Sequence, residues 1–445
     1  MLINHRSLIT LAVLIGVMIS IISVKLNFIA VIIAALFISL VFFKVEFILI
    51  GLILSVNNVF FLITNSNSES LILIFSFLTI LILIFYLISG RLRETVFINM
   101  KFKYLWSIFI LLIVIGILNS YFLFQQPIWL GIKAAKWYLI IVIYFLLSYL
   151  LINNLISVRK IVNIVISIGF IASIIYIIQF FLYDKYQFLN VNFLERFGEV
   201  RFYQGVNIVI FSLVLGIQRV LEKGKVSIML AVACSVNFFY ILVVANSRSL
   251  TIPLLIALLY ILFLQKKFNK TIIIYALLGF SIYLFNSKDS NLFIKTFSLL
   301  INDISNNDGT FGFRIKEINY YLSEISRNFV LGMGILSESH SPSYFALGKQ
   351  FNYYLSDIGM IGFFFKFGII GVLLVCAIVL SMIKKNLYLW QKKVYRFDLI
   401  AYVIYLLFAM WFVPLFDNAS SLLCICIALA LIDYEIFKTQ LRSLR

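Results

Sequence analysis

Leu71–Ile88 reads LILIFSFLTILILIFYLI, eighteen residues without a charge. Ile161–Leu182, IVNIVISIGFIASIIYIIQFFL, is longer and nearly as apolar. Runs of about 17–25 apolar residues are the length that crosses the hydrocarbon core of a bilayer. There the backbone has no water to bond to, so every N–H and C=O must find a partner inside the segment, and a run of this kind satisfies them as a helix. The fold class that follows is all-α and membrane-embedded.

The remainder of the 445 residues repeats the pattern, with 63% hydrophobic and 12% charged residues. Counted from Leu8, it predicts a polytopic bundle of about 14 transmembrane helices, near 8–24, 26–43, 47–64, 71–89, 104–118, 136–152, 161–183, 206–221, 226–244, 250–264, 271–285, 359–383, 398–414 and 419–436. The amino-terminal run has a basic flank but no small-residue cleavage pattern, and reads as a retained first helix. Composition marks no separate soluble unit, so residues 1–445 are expected to form one transmembrane bundle.

A net charge of +18 from 36 Lys and Arg against 18 Asp and Glu would raise nucleic acid as a partner in a soluble chain. Its distribution points elsewhere. With both termini cytoplasmic, alternate loops collect about 22 of the 36 basic residues, among them Arg91, Lys101, Arg159, Lys160, Arg219, Lys223, Lys385 and Arg396. The excess charge is then a topology signal, and no nucleic acid is expected. Cys234, Cys376, Cys424 and Cys426 lie inside apolar runs without paired spacing and read as small core residues.

Connections are short except for Tyr183–Gly205 and the longer stretch 286–357, a loop of roughly seventy residues expected on the extracytoplasmic side. Within it Ile315, Ile318, Leu322, Ile325 and Phe329 recur at helical spacing, with Arg314, Glu317, Tyr321, Glu324 and Asn328 on another face. This predicts an amphipathic helix at the outer membrane interface, ended by Gly332 and Gly334. Arg314 near its start either pairs with Glu317 one turn on, or meets lipid headgroups, or joins the free N–H groups of the helix to grip an anion. Arg248 sits in a tight polar turn, VVANSRSLTIP, close to hydrocarbon depth, where a guanidinium snorkels or binds a ligand. Arg201, Arg196, Lys133 and Lys136 are further cations at the outer ends of spans, against the positive-inside bias. A shared phosphate or pyrophosphate is the ligand that would account for them, since Arg matches it bidentately. His340 is one of two histidines, the residue type whose charge ordinarily changes near neutral pH, so it is a candidate base or merely a solvated loop residue. Lys366, in FFFKFG, faces a cleft or snorkels. The sequence has no clustered metal-ligating set, no Walker-type loop and no GxSxG, so no metal and no cofactor are expected.

In order along the chain, Arg201 ahead of GVNIVIFSLVLG, then NSRSLTIPLLIALL, FRIKEINYYLSEISRNFVLGMGI, and His340 before YYLSDIGMIGFFFKFGIIG resemble the bacterial O-antigen polymerase and O-antigen ligase superfamily of membrane glycosyltransferases. The likeness covers Arg201 to Leu380. It implies a donor glycan on a polyprenyl pyrophosphate at the outer face of the bacterial cytoplasmic (inner) membrane, transferred to an acceptor hydroxyl without a metal. Arg248 and Arg314 would neutralise the leaving pyrophosphate with Arg201 helping, and Arg196, Lys133, Lys136 and Tyr321 would line the substrate. His340 would activate the acceptor. Where the family's His lies directly before the next span, this chain has His340 about a dozen residues ahead, which makes Asp357 a second candidate base. The expected activity is polymerisation of oligosaccharide repeat units into surface polysaccharide (O-antigen, capsule or exopolysaccharide), with membrane lipid, a chain-length regulator and a flippase as associated partners. A ligase moving the glycan to another acceptor is the nearest alternative. A lipid-linked oligosaccharide flippase is the rival from outside enzymes, and the long outer loop and lack of repeat symmetry count against it.

Overall fold

The computed structural model describes residues 45–63, 65–88, 99–191, 194–196, 199–202, 204–222, 228–264 and 309–443. The helices are α1 (Glu46–Val56), α2 (Asn65–Ile88), α3 (Lys103–Phe124), α4 (Ile128–Ile152), α5 (Val158–Leu182), α6 (Val206–Glu222), α7 (Ile228–Ala245), α8 (Arg248–Leu264), α9 (Gly309–Ile325), α10 (Ser341–Ala346), α11 (Met360–Gln391), α12 (Phe397–Ala409) and α13 (Ala419–Ser443). A two-stranded antiparallel ribbon, β1 (Leu194–Arg196) and β2 (Glu199–Arg201), lies between α5 and α6. Apart from that ribbon, the regular structure described is helical.

Seven helices among the described residues are long and apolar enough to cross a membrane, and α1, α6, α8 and α12 carry shorter apolar stretches. The chain is a multi-pass membrane protein. Eleven of the expected spans coincide with these helices. Those expected at 8–24, 26–43 and 271–285 lie outside the described residues. Several boundaries move, two of them with a local cause. The span expected from residue 136 starts at Ile128, after Pro127 sets the first turn. The one expected over 47–64 stops at Val56, where Asn57 turns its amide back onto the Ile53 carbonyl, 2.7 Å away.

α13 is the centre of the bundle. From Leu422 to Ile432 it is apolar or small on every side and fully buried, Cys424 and Cys426 included, as expected for a helix enclosed by others. α2 and α3 instead turn residues such as Phe77, Phe85, Leu111 and Phe122 outward, a face that lipid can cover.

The polar groups described sort to two ends. At one end Lys160 pairs with Glu46, the Lys101 N–H donates to Asp433 (3.1 Å), and Arg396 grips Asp398 through Nε and Nη2 (3.0 and 2.8 Å) and Glu435 through Nη1 (2.5 Å). The other end holds the long loop. There Asn207 donates to Asn418 (3.4 Å) and Lys366 pairs with Asp417 (2.5 Å). The Tyr138 hydroxyl donates to the same carboxylate. Lys366 is therefore neither snorkelling nor open: its charge is matched inside the bundle.

α11 is broken. Gly368 has φ 62° and ψ −165°, a conformation essentially closed to other residues. Residues 329–334 lie across the gap. Met333 N–H donates to Phe365 O (2.7 Å) and Gly334 N–H to Lys366 O (3.0 Å), while Ile369 and Ile370 N–H donate to Phe329 O (3.0 Å) and Val330 O (3.4 Å). A Cβ on Gly368 would stand 2.2 Å from Val330 O. Gly368→Ala should therefore cost about 2 kcal/mol or more, read as a lowered midpoint in thermal unfolding of the purified protein. An unchanged midpoint would mean that the crossing is not a fixed feature of the fold.

Candidate functional site

The functional candidates lie at the loop end, in three groups. The first is a corner built by α7 and α8. α7 ends in a π-turn over Tyr240–Ala245, Asn246 adopts the left-handed conformation (φ 39°), and the Ser247 carbonyl accepts the N–H groups of Leu250 and Thr251 to start α8. Arg248 is thus the first helical residue, in the tight polar turn read from the sequence. β2 runs into this corner: Phe202 N–H donates to Val244 O (3.0 Å), and the Tyr240 hydroxyl reaches the Phe202 and Gln204 carbonyls (3.2 and 2.5 Å). Arg201 and Arg248 are therefore carried by adjoining backbone. Arg196 stands opposite Glu199 in the ribbon register.

The second group lies on α9 and the turn at Leu355–Asp357. Arg314 is half-buried and Asp357 exposed. Between them Glu317 is fully buried and accepts the Tyr354 N–H at Oε1 (3.0 Å). Its Oε2 is buried without a hydrogen-bond partner. Burial pushes this carboxyl above its usual range. The Tyr354 N–H opposes that shift, nearby Asp357 adds to it, and Arg314 again opposes it.

α9 also corrects the expected facing. Tyr321, assigned to the polar face, is fully buried, donates to Leu347 O (2.7 Å) and packs edge-on against Phe365. Leu322 and Phe329, assigned to the apolar stripe, are exposed. A tyrosine buries as well as a leucine once its hydroxyl has an acceptor, so the helix packs on the side where Leu347 provides one. Tyr321 is in consequence a strut.

The third group surrounds His340, the residue before α10. Its Nδ1 lies 3.0 Å from Ser343 Oγ. Ser343 Oγ donates to Gln126 Oε1 (2.9 Å), which also accepts the Ser337 N–H (2.7 Å). Gln126 Nε2 donates to Ile335 O (3.0 Å) and Ser120 Oγ (3.2 Å). The loop bearing His340 is thus bolted to the end of α3. Asn119, one turn before, donates to Gly332 O (2.5 Å). The remaining expected residues sit elsewhere: Lys136 on α4 is committed to Glu69, and Lys133 is exposed on the same helix.

Residues 229–376 match the O-antigen ligase family. The matched segment, about a third of the chain, is what this protein shares with the O-antigen ligase and polymerase superfamily, and it holds Arg248, Arg314, Glu317, His340 and Asp357. Arg201 precedes it. No curated protein and no solved structure shows a match. The family implies a glycosyltransferase-like membrane activity.

Glu317, Gln126, Asn119 and Ser343 escaped the sequence reading. Glu317 was visible only as a salt-bridge partner for Arg314, and a neutral Gln in FLFQQP carries no signal. The raised pKa gives Glu317 a testable signature. A carboxyl that keeps its proton longer in the folded state makes stability fall as pH rises from the ordinary carboxylate range through the raised value. Glu317→Gln should flatten that fall, seen in the difference between wild-type and variant unfolding midpoints across pH. Parallel profiles would show that Glu317 titrates normally.

Proposed function

We propose that the chain joins polyprenyl-pyrophosphate-linked oligosaccharide repeat units into a surface polysaccharide, working at the extracytoplasmic face of the cytoplasmic membrane. The observation that carries this reading is that the O-antigen ligase match falls on the segment that contains Arg248, Arg314 and His340. The acceptor hydroxyl oxygen attacks the anomeric carbon, the bond from that carbon to the phosphate oxygen breaks, and the polyprenyl pyrophosphate leaves with the electron pair. Arg248 and Arg314, with Arg201 beside the first, hold the departing anion, which gains charge as the bond breaks and is stabilised by guanidinium groups already in place. His340 takes the hydroxyl proton, with Asp357 as the second candidate for that role. Inversion follows from a single displacement.

A ligase reading, with one transfer to a different acceptor, has the family description in its favour. The two differ in product. Purified protein in vesicles, given a polyprenyl-pyrophosphate-linked repeat unit, should yield a ladder of chain lengths. A single transfer that needs a second acceptor would establish the ligase, and no transfer would remove both.

Arg248→Lys and Arg314→Lys should each lower the transfer rate on the order of 10²-fold, because an ammonium cannot replace a bidentate grip on phosphate. Retained activity in both would take the pyrophosphate role from these residues. On the topology, a cysteine replacing Ser339 should react with an impermeant reagent added outside intact cells, and one replacing Lys223 should not. The reverse pattern would invert the orientation.

A further inference from the structure

We propose that Gln126 and Ser343 act as positioning residues that hold His340 in its Nδ1–H tautomer and leave Nε2 as the basic nitrogen. The inference rests on the reading of His340 as the base, and deepens it by specifying the atom that receives the proton. It follows from accounting for every hydrogen in the relay.

Two groups in the relay have fixed roles. A backbone carbonyl only accepts and a backbone N–H only donates. Gln126 meets one of each: Ile335 O on one side and Ser337 N–H on the other. Its amide can therefore lie only with Nε2 toward Ile335 and Oε1 toward Ser337. Ser120 Oγ agrees, since its own proton goes to Ile117 O (2.7 Å) and it accepts from Gln126 Nε2. Oε1 then accepts from Ser343, which has one proton and gives it to Gln126. Toward His340, Ser343 Oγ has only lone pairs left. At 3.0 Å from Nδ1 it must receive a hydrogen, so Nδ1 carries the proton of the neutral ring.

The geometry is held from both directions. Ser343, Gln126 and Ser120 are buried, at 0%, 0% and 1% exposure, so water does not compete for the relay. The His340 backbone is fixed by its N–H to Ser337 O (3.2 Å) and by the Tyr344 N–H on its carbonyl (2.8 Å). The ring itself is only half-buried. A neutral imidazole protonated at Nδ1 has its free lone pair at Nε2, the nitrogen farther from the relay.

The chain has two histidines, so the tautomer is directly observable. Protein carrying isotope-labelled histidine and His5→Gln, reconstituted in lipid, has a single imidazole signal by NMR. Above the imidazole titration range, the wild-type ring should show Nδ1 protonated and Nε2 bare; the opposite assignment overturns the proposal whatever the activity. In Gln126→Met the Ser343 proton is released and can turn toward Nδ1, so the ring should shift to the Nε2–H form. An unchanged tautomer in that variant would also count against the relay. With the polyprenyl-pyrophosphate repeat unit as substrate, Gln126→Met and Ser343→Ala should lower kcat by about 10–100-fold with little change in KM. A wild-type Nδ1–H ring that flips in Gln126→Met without loss of kcat would uphold the relay and refute His340 as base, which separates failure of this inference from failure of the reading beneath it.

Discussion

The backbone crossing at Gly368 is the constraint on which the loop end depends. A helix broken inside a bilayer exposes N–H and C=O groups that lipid cannot satisfy, at several kcal/mol each. Here the loop segment 329–334 takes up four of them, two donors and two acceptors on each side. The contact is backbone against backbone, so neither surface has room for a side chain. Gly332 and Gly368 face each other, and a Cβ on Gly332 would lie 2.4 Å from Gly368 N. Gly334 closes the other flank against Gly116 O on α3, where its Cβ would be 2.5 Å away. What reads in sequence as a Gly-x-Gly helix stop is a three-way junction of loop, α3 and α11.

Charge placement follows a second economy. Among the described residues, charged groups inside the bundle form matched sets such as Arg396 with Asp398 and Glu435 at one end and Lys366 with Asp417 at the other. Removing one member of such a set strands the other in a medium that solvates it poorly. The candidate cations are placed elsewhere. Arg314 is half-buried on the loop helix, and Arg248 opens α8 at a polar turn, positions from which an anion could be met without first crossing hydrocarbon.

The fold was legible in the sequence to the extent that bilayer thickness imposes a length. Apolar runs such as Leu71–Ile88 announce their helices without tertiary information. The break in α11 was hidden because FFFKFGIIG is apolar apart from Lys366 and a glycine is common in membrane helices. The facing of α9 was misread because hydropathy ranks Tyr321 below Leu322, whereas burial depended on whether a carbonyl stood where the hydroxyl ends. Arg248, Arg314 and His340 could be singled out because charge is rare in this chain. Gln126 could not, because its role exists only once Ile335, Ser337 and Ser343 are folded around it.

The same turn of α11 supports two of the site's groups. The Phe365 ring packs on Tyr321, which fixes the helix carrying Arg314 and Glu317, while the Phe365 carbonyl receives the Met333 N–H at the start of the strand of chain leading to Gln126 and His340. One residue's side chain and backbone thus set both the cationic helix and the imidazole. Phe365 is fully buried, and Lys366 beside it is tied to Asp417, so this turn cannot shift without breaking an ion pair inside the bundle. A long loop ordinarily gives its residues freedom that a reaction needing defined geometry must remove. In this chain that freedom is removed by transmembrane helices: α11 holds the loop from the middle and α3 holds it at Gln126, which leaves the segment between Gly332 and Ser343 with both ends bound to parts of the protein that the bilayer itself keeps in place.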